Sequence, residues 1–103
     1  MSDILFLHGS LHGAWCWRDM LPALTALGHS PRAMDMPSHG KDTTPLDQVT
    51  LDSCVASVVD QLGDNTVLVA HSWGGYPATL AADIAPEKIA RIIYVCAYIP
   101  REG

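Results

Sequence analysis

Apolar residues in this chain fall into two patterns, short unbroken runs and stretches spaced three and four apart. Ile4-Leu5-Phe6-Leu7 is an unbroken run that stops at His8-Gly9, which predicts a strand buried on both faces of a parallel sheet. A glycine-punctuated loop from Gly9 to Ala14 follows. Trp17, Met20, Leu21, Leu24 and Leu27 then sit at i, i+3, i+4, i+7 and i+10, one apolar face of a helix closed by Gly28. Pro22 is tolerated only near a first turn, so this helix is expected to begin near Trp17. Ser30 to Met34 is a weaker strand, running into turn formers from Asp35 to about Pro45 that predict a long surface loop. Leu51, Cys54, Val55, Val58, Val59 and Leu62 carry the strongest helical period, with Thr50 as its cap and Gly63 as its stop. Thr66 to Ala70 reads as a third buried strand. Tyr76 to Ile84 reads as a helix with Pro77 in its first turn and Pro86 beyond its end, and Arg91 to Ile99 as a fourth strand.

Strand and helix therefore alternate throughout, which predicts an α/β fold: a parallel sheet of about four strands, right-handed crossovers, and helices on both faces. Open sheets of this kind bind ligands beyond the carboxyl ends of their strands. His8-Gly9-Ser10, Asp35 to Gly40 and His71 to Gly75 fall at those ends.

Composition narrows the partners. With 49% hydrophobic residues and a net charge of −5 the 103 residues fit a small folded domain or part of one, not a disordered chain. Six basic against 11 acidic residues leave no basic patch for phosphates, so nucleic acid is excluded as an expected partner. Ile4 to Leu7 and Ile92 to Ile99 are far shorter than the ~20 residues of a membrane span. A small molecule is the expected partner. Cys16, Cys54 and Cys96 form no Cys-x-x-Cys pair and are expected to be reduced packing residues. The opening residues lack a basic leader and a long apolar core, so a cytoplasmic location is expected.

The segment Val69-Ala70-His71-Ser72-Trp73-Gly74-Gly75 sets a serine between a buried strand and a helix start, with small residues two positions to either side. That is the shape of a nucleophile elbow, a sharp strained turn that lifts the serine Oγ above the sheet and requires small neighbours at Ala70 and Gly74. The alternative is a tight turn with an incidental serine. An acyl-transfer oxyanion needs two convergent donors; the Trp73 N–H and the Ser10 N–H, from the loop after the first strand, are the candidates.

These motifs together resemble the amino-terminal half of an α/β-hydrolase. Leu7-His8-Gly9-Ser10 is similar to that family's oxyanion loop, Asp35-Met36-Pro37-Ser38-His39-Gly40 to its Asp-x-Pro-Gly-His-Gly loop, and Ala70-His71-Ser72-Trp73-Gly74-Gly75 to its elbow. Leu11 to Trp17 and Ala26-Leu27-Gly28-His29 are similar to the branch holding plant methyl esterases, hydroxynitrile lyases and bacterial esterase relatives. The resemblance implies Ser72 as nucleophile, Ser10 and Trp73 as oxyanion donors, and no organic cofactor.

Two departures stand out. Ala70 replaces the usual first glycine of Gly-x-Ser-x-Gly, and no histidine follows Ser72, although the family's acid and histidine come later in the chain. Glu102 is the one acid after the fourth strand. His71 is expected to point away from Ser72, and His8 to support the oxyanion loop. His12 and His39 lie near the site, with substrate contact and plain solvation both open, while His29 reads as surface. A metal set from His8 and His12 with Asp35 or His39 is disfavoured, since Gly9 and Gly13 imply a loop. Trp15 and Trp17 are expected to pack loop against core.

Three functions compete. The first is a serine hydrolase for a small carboxylic ester, its acid and histidine encoded past Gly103. The second is a hydroxynitrile lyase, against which Gly9 argues, since the resemblance implies a threonine there in plant lyases. The third is a non-catalytic half-domain, for which an exposed apolar edge at the fourth strand would be a liability; the isolated chain is expected to self-associate and to lack Ser72-dependent turnover.

Overall fold

The computed structural model describes residues 2–99. Its elements are β1 (Asp3–Leu7), α1 (Met20–Ala26), β2 (Ser30–Met34), α2 (Leu51–Gln61), β3 (Thr66–His71), α3 (Gly75–Ile84) and β4 (Ile89–Val95). The four strands pair in parallel in the order β2-β1-β3-β4. Leu7 lies level with Met34 on one side and Ala70 on the other, so the loops after β1, β2 and β3 leave the sheet along one rim.

Alternate residues of the central strands feed two cores, as expected of a sheet covered on both faces. Leu5, Leu7, Leu68 and Ala70 pack with Cys54, Val55 and Val58 of α2 and Ala78 and Ala81 of α3. Ile4, Phe6 and Val69 pack on the opposite face against Trp17, Leu21 and Leu24. α2 begins with a reciprocal cap in which the Ser53 N–H donates to Thr50 Oγ1 at 3.0 Å and the Thr50 N–H to Ser53 Oγ at 2.9 Å. At the amino ends of the strands, Arg32 holds both oxygens of Asp3, at 2.8 and 3.1 Å, and the fully buried Thr66 hydroxyl donates to Asp3 Oδ2 at 2.8 Å.

Several boundaries differ from those expected. The first helix breaks in two, a 3-10 turn at Ala14–Trp17 followed by α1, and Met20 and Leu27 stay exposed although their spacing suits a buried face. The loop after β2 contains a further 3-10 turn, Leu46–Gln48. β4 ends at Val95 instead of Ile99, because Cys96 takes a left-handed φ of 46° that turns the chain off the sheet. β4 is nonetheless the edge, with Ile93 and Val95 exposed at 47% and 41%. Only Cys54 of the three free cysteines is a packing residue; Cys16 and Cys96 are exposed. Trp17 packs on Phe6 with ring centroids 4.7 Å apart, whereas Trp15 is 53% exposed. Among the described residues, no helix is long and apolar enough to cross a membrane.

Candidate active site

β3 delivers Ser72 to the carboxyl rim and a single 3-10 turn, Ser72–Gly74, connects it to α3. Ser72 has a φ of +54°, a left-handed conformation that a serine rarely adopts, so the turn is sharp at the residue expected to be strained. Glycines make the turn possible. A Cβ on Gly74 would stand 2.8 Å from the His8 carbonyl oxygen and 3.2 Å from that of Leu7. A Cβ on Gly75 would run into the Tyr98 carbonyl, since residues 97–98 fold back over the elbow and the Tyr98 N–H donates to the Ser72 carbonyl at 3.0 Å.

The loop after β1 meets the same serine. A Cβ on Gly9 would lie 3.0 Å from Ser72 Cβ, so the absence of a side chain lets the Gly9 backbone pass close to Ser72. Ser10 follows Gly9 and is exposed; Leu11, at φ +63°, and a Gly9 carbonyl accepting the His12 N–H at 3.3 Å shape the bend. Trp73 follows Ser72, and its N–H belongs to the first turn, where helices leave donors without intrahelical partners. The two N–H groups singled out in the sequence therefore belong to residues adjoining the Gly9–Ser72 contact. The Trp73 ring packs against the larger core and lies 6.3 Å from that of Tyr76.

His8 is 1% exposed and ties two of the rim loops together. Its Nε2 accepts the Met36 N–H at 2.9 Å, which leaves Nδ1 to carry the proton and donate to the Gly9 carbonyl at 2.7 Å. Burial holds its pKa below the usual imidazole value, so the ring is a neutral brace with both nitrogens committed. His39 stands 4.9 Å from His8, ring to ring, with Nδ1 3.0 Å from the Pro37 carbonyl.

Asp35 is the residue whose task sequence reasoning missed. Its Oδ1 accepts the Ala14 N–H at 2.7 Å and its Oδ2 the Lys41 N–H at 3.1 Å, clamping the loop after β1 to the one after β2. Gly13 and Gly40 leave the space, since a Cβ on either would press on that carboxylate. An acid at a strand end, with glycines in both flanking loops, was the available signal.

His71 has its ring 6.0 Å from that of His12 and 6.4 Å from that of Trp17, and a Cβ on Gly9 would lie 3.3 Å from its Nδ1. His12 Nδ1 and Trp17 Nε1 are buried without a hydrogen-bond partner among the described residues. His29, read as surface, is half-buried at the opposite end of the sheet, where its Nδ1 accepts the Ser2 N–H at 3.3 Å. Glu102 lies outside the described residues. Among those described, no group of three His, Cys, Asp or Glu side chains is placed to hold a metal ion.

Comparison with known proteins agrees with the fold. The model of the alpha/beta hydrolase family matches residues 4–103. Methylesterase 7 of Arabidopsis thaliana is 45% identical over 106 residues, an alignment covering 96% of this chain and 41% of that protein. Esterase PIR7B of Oryza sativa subsp. japonica is 36% identical over 111 residues, covering 99% and 41%. The crystal structure of an Arabidopsis methylesterase superposes with a TM-score of 0.89 at 29% identity, covering 100% of this chain and 46% of its own. The chain spans about two fifths of the length of the curated relatives it matches.

Proposed function

The chain belongs to the alpha/beta hydrolase family, and from that premise we propose that it carries the nucleophile and oxyanion hole of a serine esterase for small carboxylic esters. The Gly9–Ser72 contact carries this reading, because it puts the loop bearing the Ser10 N–H directly against the strained serine. Similarity to plant proteins named methylesterases and esterases supports an ester, a methyl ester among them, as substrate.

In the proposed reaction Ser72 Oγ attacks the ester carbonyl carbon and loses its proton to a base. The carbonyl π electrons move onto oxygen, where the Ser10 and Trp73 N–H groups stabilise the charge. The C–O bond to the alcohol then breaks, the base returns the proton to the leaving oxygen, and water hydrolyses the acyl-serine by the same steps. The base is proposed to be a histidine outside this chain. His8 has both nitrogens committed, and the His71 ring packs toward those of His12 and Trp17. His12, partly exposed in the loop that carries Ser10, is proposed to contact substrate. The lyase reading is weaker, because a side chain at Gly9 would crowd Ser72.

The test is hydrolysis of small methyl esters by the protein translated from its complete reading frame. Turnover that falls at least about a thousandfold in Ser72→Ala supports the reading; turnover that survives the substitution, or cyanohydrin cleavage without ester turnover, contradicts it.

A further inference from the structure

We propose that the groove between the 3-10 turn Ala14–Trp17, α1 and the loop after β2 is a second ligand site, one that takes a small amphiphilic monoanion such as an aromatic carboxylate. It is a cavity of about 580 Å³ at the β2 edge of the sheet, and its walls come from these elements, not from the elbow. That volume suits a compact organic ligand. Trp15, Leu21 and Ala33 supply apolar wall, with the Trp15 indole half out in solvent.

Charge selects the ligand. Two of the chain's six basic residues, Arg18 and Lys41, line this one cavity although the chain as a whole carries a net charge of −5. Both are exposed, and among the described residues the ion pair present is Arg32 with Asp3, which leaves Arg18 and Lys41 unneutralised by a direct partner. Asp35 also lines the cavity, its oxygens accepting the Ala14 and Lys41 N–H groups, and its charge offsets one of the two cations, so the three charged residues of the lining sum to a net +1, which suits a ligand with a single negative charge. An apolar body against Trp15 and Leu21, with one negative group between the guanidinium and the ammonium, satisfies both wall and rim. The site is independent of the Ser72 reading, because binding here needs no turnover.

The experiment is titration of the full chain with 1-naphthoate, followed in two-dimensional 1H–15N NMR spectra, beside the neutral analogue 1-naphthylmethanol and the variant Arg18→Glu/Lys41→Glu. The expected result is saturable shifts centred on Ala14, Trp15, Ala33 and Lys41, with affinity reduced about tenfold or more in the charge-reversed variant and for the neutral analogue. Absence of binding, equal affinity for the neutral analogue, undiminished affinity in the variant, or shifts centred on Ser10 and Trp73 would each overturn the proposal. The neutral analogue is tested on the unaltered chain, so the outcome does not depend on the variant folding.

Discussion

A Cβ placed on Gly74 would stand 2.8 Å from the carbonyl oxygen of His8, closer than unbonded atoms of this kind approach. The small residue two positions after Ser72 is thus required by β1 and its loop, and the turn at Ser72 and the loop after β1 are packed as one piece. Gly74→Ala is expected to destabilise the fold by about 1–3 kcal/mol through overpacking against backbone that has no side chain to move aside. Urea unfolding of the two chains measures it; a change under ~0.5 kcal/mol would show that the two loops shift freely.

His8 makes stability sensitive to mild acid. Burial holds its folded pKa below the unfolded value of about 6.5, so below that pH the unfolded chain binds a proton that the folded chain refuses. Stability is expected to be level above about pH 6.5 and to fall as pH drops from there toward the depressed folded pKa. Protonating Nε2 would also break the bond from the Met36 N–H. Imidazole 15N shifts at pH 6.5 should show the neutral ring protonated at Nδ1; an imidazolium at that pH contradicts the brace.

Asp3 works at the opposite end of the sheet with the opposite consequence for its own charge. The Arg32 guanidinium holds its carboxyl below the usual carboxylate range, against a smaller opposing effect of burial. A depressed acid stabilises the fold fully above the unfolded pKa of about 3.9 and loses that contribution as pH falls through the folded value. Asp3→Ala is expected to cost about 1–2 kcal/mol at pH 7, chiefly by removing the acceptor of the buried Thr66 hydroxyl, and Asp3→Asn less. Equal stability of the three chains in thermal melts at pH 7 would rule this out.

The cysteines separate by exposure. Cys96 and Cys16 are expected to react with an aromatic disulfide in the folded chain, Cys16 more slowly because local burial pushes its thiol up. Cys54, on the buried face of α2 with its thiol also raised, is expected to react only on unfolding. Reaction of Cys54 in the folded chain at the rate of Cys96 would show that this core opens readily.

Most of the fold was legible because parallel strands buried on both faces read as unbroken apolar runs, as at Ile4 to Leu7 and Thr66 to Ala70, and because α2 carries a strict helical period behind Thr50. The end of β4 was not. Its apolar run continues to Ile99, and the backbone twist at Cys96 that ends it depends on residues 97–98 folding over the elbow, a tertiary contact. Trp15 misled for a related reason: an aromatic beside Trp17 looks like core, but only Trp17 faces Phe6. In the candidate site, the strained turn at Ser72 was legible as a serine spaced between small residues, Ala70 and Gly74. The clamp made by Asp35 was not, because it joins loops 21 residues apart through backbone N–H groups that leave no mark on side-chain pattern.

Covalent trapping asks most directly whether Ser72 is the activated nucleophile proposed above. The protein translated from its complete reading frame is treated with a fluorophosphonate, digested and sequenced by tandem mass spectrometry. One phosphonylated peptide is expected, modified at Ser72 and missing in Ser72→Ala. An adduct on another residue, or no adduct in a protein that turns over esters, would contradict it.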